Sequence, residues 1–169
     1  MNSPGSNRRF AQLEDDRVHE GFAVLQRAGE WLTSLGRRQR ITNTTFDNYS
    51  LWQSDGDNYA VLESDRVVAV ATLRLEVLKD WPDYSECGPS LMLRGLATDP
   101  DFRGSGAGTF AIDQIKSLRM DEGDIYLDCV SDFLPDYYQR HGFETIDQRI
   151  LNCPDEPPYD ITLMQFARP

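Results

Sequence analysis

The stretch Asp99-Pro100-Asp101-Phe102-Arg103-Gly104-Ser105-Gly106-Ala107-Gly108-Thr109 follows an apolar run, Leu91–Thr98, and leads into a helix-like segment, Gly106–Met120. Glycine lacks a Cβ, so it reaches positive φ and lets a ligand come close to the backbone. The first N–H groups of a helix have no intrahelical acceptor, and with the helix dipole they form an anion site. Arg103 adds a positive charge beside them. The ligand expected here is a phosphate or diphosphate. A P-loop is not matched, because Ala107-Gly108-Thr109 offers no lysine. A dinucleotide loop is not matched either: counted from Gly104 and Gly106, its third glycine falls at Thr109. A purely structural turn needs fewer glycines than the alternating ones present.

Outward from the loop, Leu91–Thr98 and Ile125–Val130 read as strands around a helix in which Ala111, Ile115 and Leu118 share a face. Such a unit makes its two strands parallel neighbours joined by a right-handed crossover. Upstream, Tyr59–Glu63 and Arg66–Arg74 read as a hairpin turning at Ser64-Asp65. Val18, Phe22, Leu25, Ala28, Leu32 and Leu35 recur at helical spacing, with Asp15 and Asp16 before them and Gly36 after. Arg9–Leu13 reads as a short first strand, Thr42–Gln53 as a short helix, and Leu78–Ser90, with Pro82, Gly88 and Pro89, as a loop. A helix over Leu134–Arg140 and strands over Phe143–Arg149 and Asp160–Ala167 complete the chain. Hairpins flanking a parallel pair make a mixed sheet, and the class is α/β.

The 169 residues, 40% hydrophobic and 27% charged, are enough for one folded domain and exclude a disordered chain. Residues 1–8 are expected to be a disordered tail and 9–169 the domain. No apolar run approaches the roughly 18–20 residues that cross a bilayer, so no membrane association is expected. Met1–Arg9 shows no secretory pattern, which makes the cytoplasm the expected location. Cys87, Cys129, Cys153, His19 and His141 lack the paired spacing of a zinc site, and no metal is expected. A net charge of −11 repels nucleic-acid backbones and attracts cationic amines. Arg37, Arg38 and Arg40 read as a solvated helix terminus in this acidic background.

Arg103-x-x-Gly106-x-Gly108 after Leu93–Thr98 resembles the acyl-CoA loop of the GCN5-related N-acetyltransferase (GNAT) superfamily. Leu134-x-x-Tyr137-Tyr138-x-x-x-Gly142-Phe143 resembles the same family's helix-to-strand signature, and Trp31-Leu32-x-x-Leu35-Gly36 the first helix of some bacterial members. The resemblance implies a single-domain fold with a mixed, mostly antiparallel sheet of six to seven strands, about four helices and splayed central parallel strands. It implies that the pantetheine arm of acetyl-CoA pairs with backbone groups of Leu96, Ala97 and Thr98. It further implies that amides of Arg103, Gly104, Ser105, Gly106, Ala107, Gly108 and Thr109 hold the diphosphate. At the family's asparagine position stands Ser131, whose hydroxyl retains a similar bond.

The resemblance also places Tyr138 beside the sulfur, as thiolate stabiliser or general acid. Full proton transfer from tyrosine to a thiolate is uphill by about 2 kcal/mol in water, whereas a hydrogen bond that strengthens as charge develops suffices. The alternative is that Tyr138 is an aromatic packed beneath a helix; under the catalytic assignment Tyr137 next to it is that packing residue instead. The family's strand glutamate is matched by Met92, which leaves Asp128, Glu86 or a water chain as the base. Cys129, within a strand, reads as a small hydrophobe. The expected activity is acetyl transfer from acetyl-CoA to an amine of a small molecule or peptide; the alternative is a non-catalytic acyl-CoA sensor. The acceptor pocket is expected from Gly36–Ser50 and Leu78–Ser90, with Phe46, Tyr49, Trp81 and Tyr84. The partners are then acetyl-CoA and the amine, with a homodimer allowed.

Overall fold

The computed structural model describes residues 7–86, 88–130 and 133–169. Its elements are β1 (Arg8–Gln12), α1 (Val18–Ser34), α2 (Phe46–Ser54), β2 (Asn58–Glu63), β3 (Arg66–Glu76), α3 (Pro82–Ser85), β4 (Ser90–Thr98), α4 (Ala107–Ile115), β5 (Ile125–Cys129), α5 (Leu134–Gln139), β6 (Glu144–Leu151) and β7 (Tyr159–Phe166). The seven strands hydrogen-bond in the order β1-β2-β3-β4-β5-β7-β6. β4 and β5 are parallel, while β1–β2, β2–β3, β5–β7 and β6–β7 are antiparallel. The sheet is therefore mixed around a parallel pair, as the strand–helix–strand pattern requires. That pair meets at only two rungs, Leu91 with Ile125 and Met92 with Tyr126.

The chain folds as two compact units, one ending at Leu73 and resuming over Gly95–Ile115, the other formed by Arg74–Arg94 and Lys116–Pro169. In the first, Ser64 (φ 49°) and Asp65 (φ 66°) are both left-handed, the paired conformation that closes a two-residue hairpin between β2 and β3. Val61 faces Ala69 and Leu62 faces Val67, so Val68 is the extra residue of a bulge. One side of these strands packs Ala60, Leu62, Val67 and Val70, with Ala97 of β4, against Val24, Leu25 and Ala28 of α1 and Tyr49 of α2. The other side packs Val61, Val68 and Ala69 against Ala107 and Ala111 of α4. α1 buries Gly21, Val24, Leu25, Ala28 and Gly29. A Cβ on Gly21 would stand 2.7 Å from Leu13, so the glycine lets the helix sit close. Leu35, expected on the buried face, lies beyond the end of α1 and is 54% exposed.

The second unit pairs β5, β7 and β6 and packs Leu78, Trp81, Met92, Val130, Ile161 and Leu163 together. The expected loop Leu78–Ser90 contains the one-turn helix α3, with proline at its start. The helix expected to reach Met120 stops at Ile115. Downstream, the carbonyls of Leu118 and Arg119 accept from the Arg168 guanidinium, and that of Arg119 accepts from the Glu122 amide as well.

Candidate active site

β4 does not stay extended to its end. Gly95 takes φ +55° inside the strand, a left-handed residue where side-chain-bearing residues are strained. Beyond it, Leu96 packs on the α4 side and Ala97 is buried on the α1 side. Asp99 then ends the strand. Its carboxylate is 1% exposed, lies 2.6 Å from Arg27 and 3.3 Å from Arg66, and accepts from the amide of Asp101 at 3.1 Å. Burial opposes its charge, but the bonds from Arg27 and the Asp101 amide outweigh that and hold the carboxyl below the usual range.

Past the short turn Pro100–Phe102, Gly104 (φ +77°) and Gly106 (φ +82°) both need glycine for conformation rather than for room. A Cβ on Gly104 would meet nothing within 4 Å. The amides divide into two sets. Arg103 N–H donates to Pro100 O at 3.3 Å, Ser105 N–H to Phe102 O at 3.1 Å and Ala107 N–H to Ser105 Oγ at 3.3 Å. These three amides close the turn and the helix start. The amides of Gly104, Gly106, Gly108 and Thr109 have no acceptor among the described residues. Arg8 steadies the loop from β1, donating to Ser105 O at 3.2 Å while paired with Glu63 at 2.9 Å. The Arg103 guanidinium lies 4.5 Å from the centre of the Trp31 ring. Arg8, Arg27 and Asp99 had no role in the sequence reading; the only available signal was that Arg27 and Trp31 share a helix face.

In the other unit, Tyr138 on α5 is 8% exposed, its ring edge-on to Phe143 at 5.7 Å and to Tyr137 at 5.3 Å. Burial, then the neighbouring charges of Cys129 and Tyr137, pushes its phenol far above the ordinary tyrosine range. Burial likewise pushes the Cys129 thiol up to about 12, with Asp128 adding to it. A thiol that holds its proton so firmly is no nucleophile at neutral pH. Ser131 lies outside the described residues.

Met92 is fully buried beside Trp81 and Leu78 and supplies no proton acceptor. Asp128 is the enclosed carboxylate on the same strand as Cys129. Its side chain, 6% exposed, accepts from Trp81 Nε1 at 3.3 Å and lies 3.8 Å from Arg94, which also pairs with Glu76. Adjacent strand residues face opposite sides, so Asp128 points away from the side on which Cys129 meets Tyr138. Glu86 is exposed at the end of α3. Of the aromatics expected to line an acceptor pocket, Tyr49 and Trp81 are core residues, 1% and 0% exposed. Phe46 stacks on His19 at 4.4 Å, and the Tyr84 hydroxyl donates to Ile146 O at 3.3 Å.

A profile of the acetyltransferase (GNAT) family matches residues 21–143, a span that takes in most of α1, the glycine loop and the tyrosine signature. The chain belongs to the GNAT family. No curated protein matches it. The GNAT fold is shared with a GNAT acetyltransferase from Listeria monocytogenes, at TM-score 0.71 and 15% identity over 99% of this chain and 100% of that one. It is shared with the PaiA N-acetyltransferase of Thermoplasma acidophilum solved with coenzyme A, at TM-score 0.68 and 12% identity over 96% and 99% of the two chains. A polyamine N-acetyltransferase from Drosophila melanogaster aligns at TM-score 0.68 and 14% identity, over 96% of this GNAT and 100% of that chain.

Proposed function

We propose that this protein transfers an acetyl group from acetyl-CoA to an amine of a small molecule or peptide, by direct attack in a ternary complex, in the cytoplasm. The observation that carries the reading is that the amides of Gly104, Gly106, Gly108 and Thr109 have no acceptor among the described residues, which leaves donors at a helix start for a diphosphate. Backbone groups of Leu96, Ala97 and Thr98 take the pantetheine arm as a further strand would, and the Ser131 hydroxyl adds a bond. Cys129 and Cys153 are free thiols, as a reducing compartment leaves them.

In the reaction the neutral amine attacks the thioester carbonyl carbon, a C–N bond forms, the C–S bond breaks and its electron pair stays on sulfur. Tyr138 donates a hydrogen bond to that sulfur. Because burial makes its phenol a weaker acid than in water, it stabilises the departing thiolate without giving up its proton. The ammonium proton leaves to water or to a carboxylate, with Asp128 the enclosed candidate.

A net charge of −11 favours cationic acceptors, so polyamines, aminoglycosides and basic peptides come first in a screen. Calorimetric titration with CoA tests the binding half, and release of free CoA thiol in that screen tests transfer. Binding with thiol release only on addition of an amine is the expected result. Binding without release from any acceptor would turn the reading towards a sensor, and no binding would end it.

A further inference from the structure

Arg27 and Trp31 stand one turn apart on α1, on the same face of the helix. Each reaches the segment that leads into the glycine loop. Arg27 Nη2 lies 2.6 Å from Asp99 Oδ2, and the Arg103 guanidinium stacks over Trp31 at 4.5 Å. One helix face therefore holds both ends of Asp99–Arg103. The same segment is fixed from β3, where the Val68 carbonyl accepts the Asp99 amide at 2.9 Å and Arg66 pairs with Asp99 at 3.3 Å.

What lies just beyond is poorly held by packing. Arg103, Gly104, Ser105 and Gly106 are all exposed, and a Cβ at Gly104 would touch nothing. Glycine carries the largest backbone entropy of any residue. A loop of this kind binds tightly only when something else restricts it before the ligand arrives. The enclosed Asp99 carboxylate persists because it is paired; exposed Arg103 has water available and needs no indole for its own solvation.

We propose that Arg27 and Trp31 are positioning residues, a two-point clasp through which α1 sets the path of Asp99–Arg103 and so pre-aims the amides of the loop at the diphosphate. The proposal rests on the acetyl-CoA reading above. It assigns α1 a part in cofactor affinity without contact between either side chain and the reacting atoms.

The test compares CoA affinity by calorimetry, and KM for acetyl-CoA against kcat, in the wild type, Arg27→Gln, Arg27→Lys, Trp31→Leu, Trp31→Phe, Arg103→Gln and the double variant Trp31→Leu/Arg103→Gln. Loss of preorganisation is expected to weaken CoA about fivefold or more in Arg27→Gln and Trp31→Leu, with kcat at saturating acetyl-CoA within about twofold. Trp31→Phe and Arg27→Lys recover most of the loss. On the Arg103→Gln background, Trp31→Leu adds nothing further, which a general loosening of α1 would not reproduce. Wild-type affinity in folded Trp31→Leu, or the same loss with and without Arg103, overturns the clasp while leaving acetyl-CoA as substrate. A wild type that binds no CoA overturns both. Should Trp31→Leu fail to fold, Arg103→Gln still decides: affinity equal to wild type in that variant sinks the proposal.

Discussion

The amide of Phe143 donates to the carbonyl of Tyr138 at 3.1 Å, and the two rings meet edge to face at 5.7 Å. A second bond, from the Gly142 amide to Gln139 O at 3.0 Å, lies inside the first. These two bonds and the ring contact form the Schellman closure of a helix, with a left-handed glycine at its hinge. Gly142 has φ +88°. The spacing of tyrosine, glycine and phenylalanine is thus the footprint of one turn that fixes the tyrosine ring.

Gly142→Ala tests that unit. Alanine must adopt left-handed φ, and its Cβ would stand 3.3 Å from Phe166. Urea unfolding is expected to show a loss of about 1–2 kcal/mol, with kcat reduced more than KM because the displaced group is Tyr138.

Tyr138→Phe removes the hydroxyl and keeps the ring. Steady-state kinetics should show kcat lowered about tenfold or more with little change in CoA affinity. An unchanged kcat removes Tyr138 from the chemistry. The phenol's pKa lies far above its ordinary value, so no inflection in the wild-type kcat profile below about pH 10 is expected from this residue.

Gly106→Val forces a β-branched residue into φ +82° within the loop, its Cβ 3.7 Å from Arg8. CoA binding should be abolished while the circular dichroism spectrum stays native, since Gly106 is exposed and contributes nothing to the core. Retained binding would discredit the loop.

Cys129 supplies a pH dependence. Its thiol is pushed up to about 12 in the folded chain, against about 8.5 for an unfolded cysteine. The folded state keeps a proton that the unfolded state loses, so this contribution is complete below about pH 8.5 and declines as pH rises from there. The urea midpoint should fall across that interval, and Cys129→Ala should fall less steeply. In the native protein at pH 8, iodoacetamide should modify half-buried Cys153 and spare Cys129.

Asp99 gives the opposite limb. Its carboxyl is held below the ordinary value by Arg27 and the Asp101 amide despite burial, so its contribution is present above about pH 4 and is lost as pH falls below that. Asp99→Asn should cost on the order of 2–3 kcal/mol at neutral pH, the usual loss on breaking a buried pair reduced because Arg27 and Arg66 are half-exposed. The variant should lose stability less steeply in acid.

The readable parts of the sequence were those where local chemistry dictates geometry. Ser64-Asp65 adopts the left-handed turn its position demanded, and the parallel pairing of β4 with β5 follows from the helix between them. Apolar spacing placed α1 but not its full inner face: Gly21 and Gly29 are buried for closeness, which a hydrophobic pattern does not register, while Leu35 is past the last turn. Tyr49 and Trp81 looked like pocket residues because they sit in irregular-looking segments. Each is instead the large side chain that fills a core, a choice made by neighbours distant in sequence. The loop was legible from its glycines, but which amides stay outward depends on hydrogen bonds to Pro100, Phe102 and the Ser105 hydroxyl that glycine spacing does not reveal. The arginines that hold Asp99 were hidden for the same reason.

The parallel join of β4 to β5 consists of the rungs at Leu91–Ile125 and Met92–Tyr126 and goes no further. Past Tyr126, the described ladder of β5 runs on its β7 side, where Leu127, Asp128 and Cys129 pair with Met164, Leu163 and Thr162. Deuterium uptake along β5 should therefore follow the opening of the β5–β7 pair: slow while that ladder holds, and faster in any variant that loosens β7.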